Sequence, residues 1–277
     1  MKETGSATAV GAAMLKAAHQ LIDGEDKLLT DPIILKLLGP GTEEYISNFN
    51  YHFFSGASMA LRTHVVLRSR YTEDCMAEAY KKGIRQFLFL GAGLETFAYR
   101  QPGWADNISI IEADHPASQA DKLERLEEAG ITLPENLSFI AIDFEADDLL
   151  SVFSKSKLNL EQPIFAVCLG VLIYLSRNTV DNIFSFAGGL PQGSEFIFTA
   201  SQNRDNGWAT TAAERSAAAG EPWITYFDPE ELIKQLKKCG FSEASFLATE
   251  ETEKLYFEGT KVHLPLPTRM SIVRAVI

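Results

Sequence analysis

A chain of 277 residues with 46% hydrophobic content can bury a substantial core, which excludes a disordered or fibrous polypeptide and suits one large α/β unit carrying extra helices. Its 25 basic and 37 acidic side chains leave a net charge of -12, which repels a phosphate backbone and sets nucleic acid aside as a partner. Cys75, Cys168 and Cys239 lie far apart without Cys-x-x-Cys spacing, so neither a metal site nor a disulfide framework is expected, and a reducing cytoplasm fits the composition.

Met1 to Gln20 is Ala-rich but lacks the basic-then-apolar order of a signal peptide. The longest apolar stretch, Ile164 to Leu175, falls short of the roughly 20 residues of a membrane span, so no membrane partner is expected. Apolar side chains at helical spacing over residues 7–22 and 56–82 predict two helices, with Gly39-Pro-Gly41 breaking the chain between them. Residues 1–83 therefore read as a helical cap. From residue 84 the pattern changes to short β-prone runs at Phe87–Leu90, Ser109–Glu112, Leu137–Ile142, Ile164–Leu169 and Glu195–Thr199. Helical segments such as Ala117–Ala129 and Thr179–Ala187 separate them, an alternation that predicts a parallel sheet covered on both faces.

Residues 200–226 show no strand pattern and contain an Ala-rich helical run, so they read as an insertion over the carboxyl edge of the sheet, where ligands bind in this architecture. Asp228-Pro-Glu-Glu opens a further helix, with Asp228 as cap, and Gly240 closes it. Ala244–Ala248 and Met270–Ile277 supply two last strands, giving a Rossmann-like sheet within a single domain of residues 1–277.

Three successive strand ends carry groups suited to a nucleoside. After the first, Gly91-Ala92-Gly93 lets the backbone approach a ligand, although a plain tight turn would look the same. Thr96 stands where a dinucleotide fingerprint wants its third glycine, which weighs against NAD. About 20 residues on, Ile110-Ile-Glu-Ala-Asp114 places Asp114 either as a ribose-binding carboxylate or as a helix cap before His115-Pro116. After the third strand, Asp143 can accept from an adenine amino group beside the wall of Phe144, or cap the turn before Glu145.

Together with these, Phe87-Leu-Phe-Leu-Gly-Ala-Gly-Leu-Glu-Thr-Phe-Ala-Tyr-Arg100, Glu112-Ala-Asp-His-Pro116 with Lys122, Asp143-Phe144 and Gly170-Val-Leu-Ile-Tyr-Leu175 resemble the leucine carboxyl methyltransferase family, whose bacterial members include polyketide O-methyltransferases. The resemblance covers nearly the whole chain. It implies a class I methyltransferase fold, a mainly parallel seven-stranded sheet with an antiparallel terminal strand, and S-adenosyl-L-methionine as methyl donor with S-adenosyl-L-homocysteine as product. It implies donor contacts at Gly91, Asp114, Asp143 and Phe144, beside which Ala92 and Gly93 are expected to complete the donor-binding glycine turn. From the helical cap it adds Lys16 and Arg68, with Arg70 as the neighbouring alternative, as holders of the donor's carboxylate, although a lone cation on a helix is ordinarily a solvated charge. Two departures stand out: Leu169, expected to contact the donor through its backbone or apolar side chain, replaces a donor-contacting glutamate, and Glu95-Thr-Phe97 replaces an Asp-Thr-Arg run.

Methyl transfer from a sulfonium is an in-line displacement that asks the protein mainly for alignment and desolvation. The expected acceptor is a small molecule or a carboxylate. A hydroxyl acceptor would gain from a general base, yet His19, His52, His64, His115 and His263 do not group in the sequence, and no catalytic residue is assigned. Acceptor-wall candidates are Tyr174, Arg204, Trp223 and Tyr226, with Trp208, Arg215 and Glu221 nearby; each serves equally as an aromatic or charge pinning the loop. The competing readings are an NAD-linked oxidoreductase and a binding module without turnover.

Overall fold

The computed structural model describes residues 5–202 and 207–277. Helix α1 (Ala7–Ile22) starts where Ser6 Oγ accepts from the Ala9 amide at 3.1 Å, and it buries a small-residue face of Ala13, Ala17 and Ala18. Helices α2 (Pro32–Leu38) and α3 (Thr42–Asn48) follow. At seven residues each they are too short for apolar periodicity to reveal. Helix α4 (Gly56–Lys81) is capped by Ser55 and runs for 26 residues.

The sheet comprises β1 (Gln86–Leu90), β2 (Ser109–Asp114), β3 (Leu137–Ala141), β4 (Ile164–Cys168), β5 (Glu195–Thr199), β6 (Glu243–Phe246) and β7 (Ile272–Val276), in the order β3-β2-β1-β4-β5-β7-β6. Strands β1 to β5 pair in parallel, and β7 lies antiparallel between β5 and β6. The seven-stranded, mainly parallel sheet with an antiparallel strand near its edge is the architecture expected.

Side chains alternate across the sheet as the strand period of two requires. Phe87, Phe89, Phe165, Val167 and Ile197 face α4, meeting Val66, Leu67, Met76 and Ala79. Leu88, Leu90, Ala166, Phe196 and Phe198 face the other side. There they meet α6 (Leu149–Ser154), α7 (Arg177–Gly188) and α9 (Pro229–Lys238) through Phe153, Ile183, Phe184, Leu232 and Leu236. Burial on both faces explains why these strands read as continuous apolar runs. Helix α5 (Pro116–Glu128) joins β2 to β3, α8 (Gly207–Ala218) forms the Ala-rich part of the insertion, and α10 (Thr249–Thr252) continues into a wide turn at Glu253–Phe257.

Two boundaries move in ways that matter. Strand β2 runs two residues beyond Glu112, so Asp114 ends the strand and His115, whose Nδ1 accepts from the Ala117 amide at 3.3 Å, caps α5. Strand β4 stops at Cys168, which frees Leu169 from the ladder.

Candidate functional site

Neighbouring strands β1 and β4 lie on either side of the point where the strand order reverses, and there the chain leaves a crevice at the carboxyl edge. Gly91 turns out of β1 with φ +72°, its amide donating to Ala113 O at 2.7 Å. A Cβ at Gly91 would clash with Val171 Cγ2, so both the conformation and the contact demand glycine. Gly91→Ala is therefore expected to cost about 2–4 kcal/mol of stability, from strain plus overpacking, and to distort the loop. Thermal unfolding checks this; an unchanged melting temperature would show that Val171 moves aside freely.

Gly93, with φ +49°, donates its amide to Asp114 Oδ2 at 2.5 Å, while Asp114 Oδ1 accepts from the His115 amide at 2.7 Å. The carboxylate is thus clamped to the glycine loop and aimed into the crevice. Burial pushes its pKa above the ordinary value against the pull of those two amides. Asp143 accepts from the Glu145 amide at 3.0 Å, and its own amide donates to Asp147 Oδ2 at 2.8 Å. The capping geometry foreseen for Asp143 is present, and Asp143 lines the same crevice as buried Phe144.

The crevice is a cleft of about 1750 Å³. That exceeds the roughly 300–1,000 Å³ of a small-molecule site and leaves room for two ligands side by side. Its walls bring together Lys16, Arg68, Gly91, Ala92, Gly93, Asp114, Asp143, Phe144, Leu169, Tyr174, Trp223 and Tyr226, residues spread over more than two hundred positions. Arg204 lies outside the described residues, as does the Trp208 side chain.

Arg68 and Lys16 reach the cleft in different states. Lys16 Nζ sits 2.9 Å from Glu95 Oε2, both largely buried, and burial of Glu95 is outweighed by Lys16 and Arg100, which hold its carboxyl down to about 2. The ammonium is already neutralised. Arg68 has no ion-pair partner among the described residues, its Nε is buried without a hydrogen bond, and its guanidinium packs where a Cβ on Gly170 would stand. Burial pulls its pKa down. Arg70 pairs with Asp74 at 3.0 Å on a partly exposed flank and does not line the cleft.

Behind the loop, Arg100 holds Glu73 with two contacts at 2.9 and 2.5 Å and approaches Asp31 at 3.3 Å, while Thr96 Oγ1 donates to Asp31 at 2.5 Å. Thr96 is therefore committed to the interior, and the place of the third dinucleotide glycine is filled by a structural hydroxyl. Spacing gives no sign of this network; its one sequence trace is Glu95, an acid directly after the glycine loop.

Over the cleft, Ile224 and Thr225 amides donate to Ile173 O at 2.8 and 3.1 Å, and Thr225 Oγ1 donates to Leu175 O at 2.6 Å. Trp223 Nε1 donates to Tyr174 Oη at 3.4 Å, and the Glu221 carboxylate accepts from the Thr8 amide at 2.8 Å. The insertion thus ties the segment after β4 to the start of α1. Of the histidines, His19 is buried on Asp23 and the Leu28 amide, and His263 lies outside the cleft. His52, His64 and His115 line it.

A model of the leucine carboxyl methyltransferase family matches residues 9–188. YktD of Bacillus subtilis (strain 168), which carries the name of an S-adenosyl-L-methionine-dependent methyltransferase, is 28% identical over 79% of this chain and 74% of its own. A protein of Mycolicibacterium paratuberculosis with the same kind of name is 26% identical over 79% of this chain and 73% of its own. Among solved structures, a DUF574 family protein from Streptomyces avermitilis superposes with a TM-score of 0.58 at 14% identity, covering 96% of each chain. A protein of Thermobifida fusca YX named as a methyltransferase gives 0.57 at 16% identity, covering 99% of this chain and 96% of its own. At such identities the structures speak for the fold. Among the described residues, no helix is long and apolar enough to cross a membrane.

Proposed function

Since this chain belongs to the leucine carboxyl methyltransferase family and is an S-adenosyl-L-methionine-dependent methyltransferase, we propose that it transfers the methyl group to an oxygen of a small-molecule or carboxylate acceptor. The observation that carries the reading is the Arg68 guanidinium, without an ion-pair partner among the described residues and set in the same cleft as the glycine loop and two strand-end carboxylates. A buried cation without a counter-charge is costly and awaits an anion; the carboxylate of the donor's methionine part supplies one, and a guanidinium can hold it with two parallel hydrogen bonds. When bound, the donor's sulfonium supplies an activated methyl group.

The protein's own residues do the rest. Gly91, Ala92 and Gly93 let the backbone approach, Asp114 accepts from the ribose hydroxyls, and Asp143 and Phe144 flank the base. Leu169 lends an apolar contact in place of the family's glutamate. Lys16 acts through Glu95, holding α1 against the loop. In this reading residues 1–83 cap a core of 84–277, and the insertion at 200–226 carries the acceptor wall. Tyr174, Trp223 and Tyr226 form that wall and exclude water from the transfer point. Trp223→Ala should leave homocysteine-product affinity within about twofold, because the wall and the donor contacts act independently, while the acceptor KM rises. A large loss of donor affinity would place Trp223 on the donor instead.

The oxygen acceptor is tested by turnover with radiolabelled donor over paired phenol and carboxylic acid panels. Products should divide into base-stable ethers or base-labile esters. Label found only on nitrogen or sulfur would overturn the oxygen assignment.

A further inference from the structure

His64 stands one helical turn before Arg68 on α4, so the two side chains share a face, and both line the cleft. Its Nδ1 lies 3.0 Å from the hydroxyl of Ser271, the residue immediately before β7. Among the described residues, Ser271 Oγ makes no other hydrogen bond and no group pairs with the second imidazole nitrogen. Around this pair the cleft wall is made of Thr199, Ser201 and Gln202 at the end of β5 and of Gly170, which donates its amide to Thr199 Oγ1 at 2.7 Å. Arg68 and Arg269 are the charged neighbours, from α4 and from the segment before β7. Arg269 is engaged elsewhere.

Building on the methyltransferase reading, we infer that His64 is the catalytic residue that receives the proton of a hydroxyl acceptor, and that Ser271 is a positioning residue that fixes its tautomer. Ser271 accepts from Nδ1–H, which leaves Nε2 as a lone pair open to the cleft. In the transfer, the acceptor's O–H bond breaks and its proton passes to Nε2. An oxygen lone pair forms the new O–CH3 bond, and the electron pair of the S–CH3 bond stays on sulfur. The positive charge moves from sulfonium to imidazolium, so the cleft's net charge is unchanged.

Electrostatics support the arrangement. Burial and the Arg68 charge push His64 down to about 3, so the imidazole is neutral across the physiological range and its acceptor nitrogen is never blocked by a proton before reaction. The same Arg68 charge would oppose forming an imidazolium while it stands alone. An anion on Arg68 cancels that field, so filling the donor site also makes His64 a better base.

The test uses wild-type, H64Q and S271A proteins with histidine rings labelled with nitrogen-15, saturated with S-adenosylhomocysteine. His64 is expected as the neutral Nδ1–H form with an unprotonated Nε2, a signature that moves toward the other tautomer in S271A. H64Q should bind the homocysteine product within about twofold of wild type, since glutamine is as uncharged as the neutral imidazole it replaces and leaves the field at Arg68 unchanged. With phenols of graded acidity, H64Q should lose about 10²- to 10⁴-fold in kcat, the loss growing as the phenol becomes less acidic. A merely structural histidine would move neither the tautomer signal in S271A nor that gradient. An Nε2–H tautomer in the complex, or a kcat unchanged by H64Q, would overturn the assignment alone. Failure of the wild-type protein to bind the homocysteine product would instead overturn the methyltransferase reading beneath it.

Discussion

Arg68→Met is expected to weaken S-adenosylhomocysteine binding by roughly 10²- to 10³-fold, about 3–4 kcal/mol, while leaving the ligand-free protein as stable as before or more so. The two effects have opposite signs because, among the described residues, the guanidinium has no ion-pair partner and its Nε is buried without a hydrogen bond. In the empty protein it is a desolvated charge that packing alone must tolerate, and methionine fills a similar volume without that cost. On the proposed reading the same charge meets the donor's carboxylate in the complex and becomes the anchor. A gain of 1 kcal/mol would raise the melting temperature by about 2–4 °C in a chain of this size. Calorimetry and thermal unfolding on the same variant read both arms. If Arg68→Met lowered stability and left affinity intact, Arg68 would be a packing residue. Arg70→Met, which breaks only a partly exposed pair with Asp74, should do neither.

The largest stability loss is expected from Asp23→Ala, about 3–5 kcal/mol. Asp23 ends α1, and its carboxylate takes Arg62 Nη2 at 2.7 Å on one oxygen and Arg62 Nε at 2.7 Å with His19 Nδ1 at 2.9 Å on the other, all three side chains fully buried. Arg62 Nη1 donates to Phe53 O at 2.8 Å, and His19 Nε2 accepts from the Leu28 amide at 3.1 Å. That last bond fixes Nδ1 as the donor to Asp23. One carboxylate thus ties α1 to α4 and to the turn before it, and removing it strands Arg62 in the interior. The melting temperature should fall by roughly 6–20 °C. Replacing both partners together, Asp23→Leu with Arg62→Met, should cost far less, because no charge is then left unpaired.

The pH dependence has a definite sign. Burial raises the Asp23 pKa, but His19 and Arg62 outweigh it and hold the folded-state value below the ordinary 3.8. The stabilisation is therefore complete above that unfolded value and is lost as the pH falls through the folded one. Acid titration of stability should show a component below pH 4 in the wild type that Asp23→Ala lacks. A wild-type curve flat through that range would contradict the pairing.

Much of the glycine-and-carboxylate edge of the cleft is legible because it is local. Gly91 and Gly93 follow an apolar run, Asp114 and Asp143 end the next two strands, and parallel strands necessarily bring such ends to one edge. Helices α2 and α3 left no readable period in seven residues each. Other features depend on meetings that no spacing encodes. His64 acquires meaning from Ser271, 207 residues away, and Glu221 from the Thr8 amide, 213 away. Lys16 looked like a free cation in the sequence and proves to be neutralised by Glu95, which had been notable only as a departure from the family pattern. Pairing between distant segments decides whether a charge is spent on structure or kept for a ligand, and in that respect Arg68 differs from Lys16.

The most direct measurement is titration calorimetry of the wild-type protein with S-adenosylhomocysteine, alongside NAD as the competing cofactor. One site of roughly micromolar affinity, about -8 kcal/mol, is expected for S-adenosylhomocysteine, with no heat from NAD. Absence of S-adenosylhomocysteine binding at millimolar concentration, with a saturable site for NAD, would contradict the assignment of the cleft.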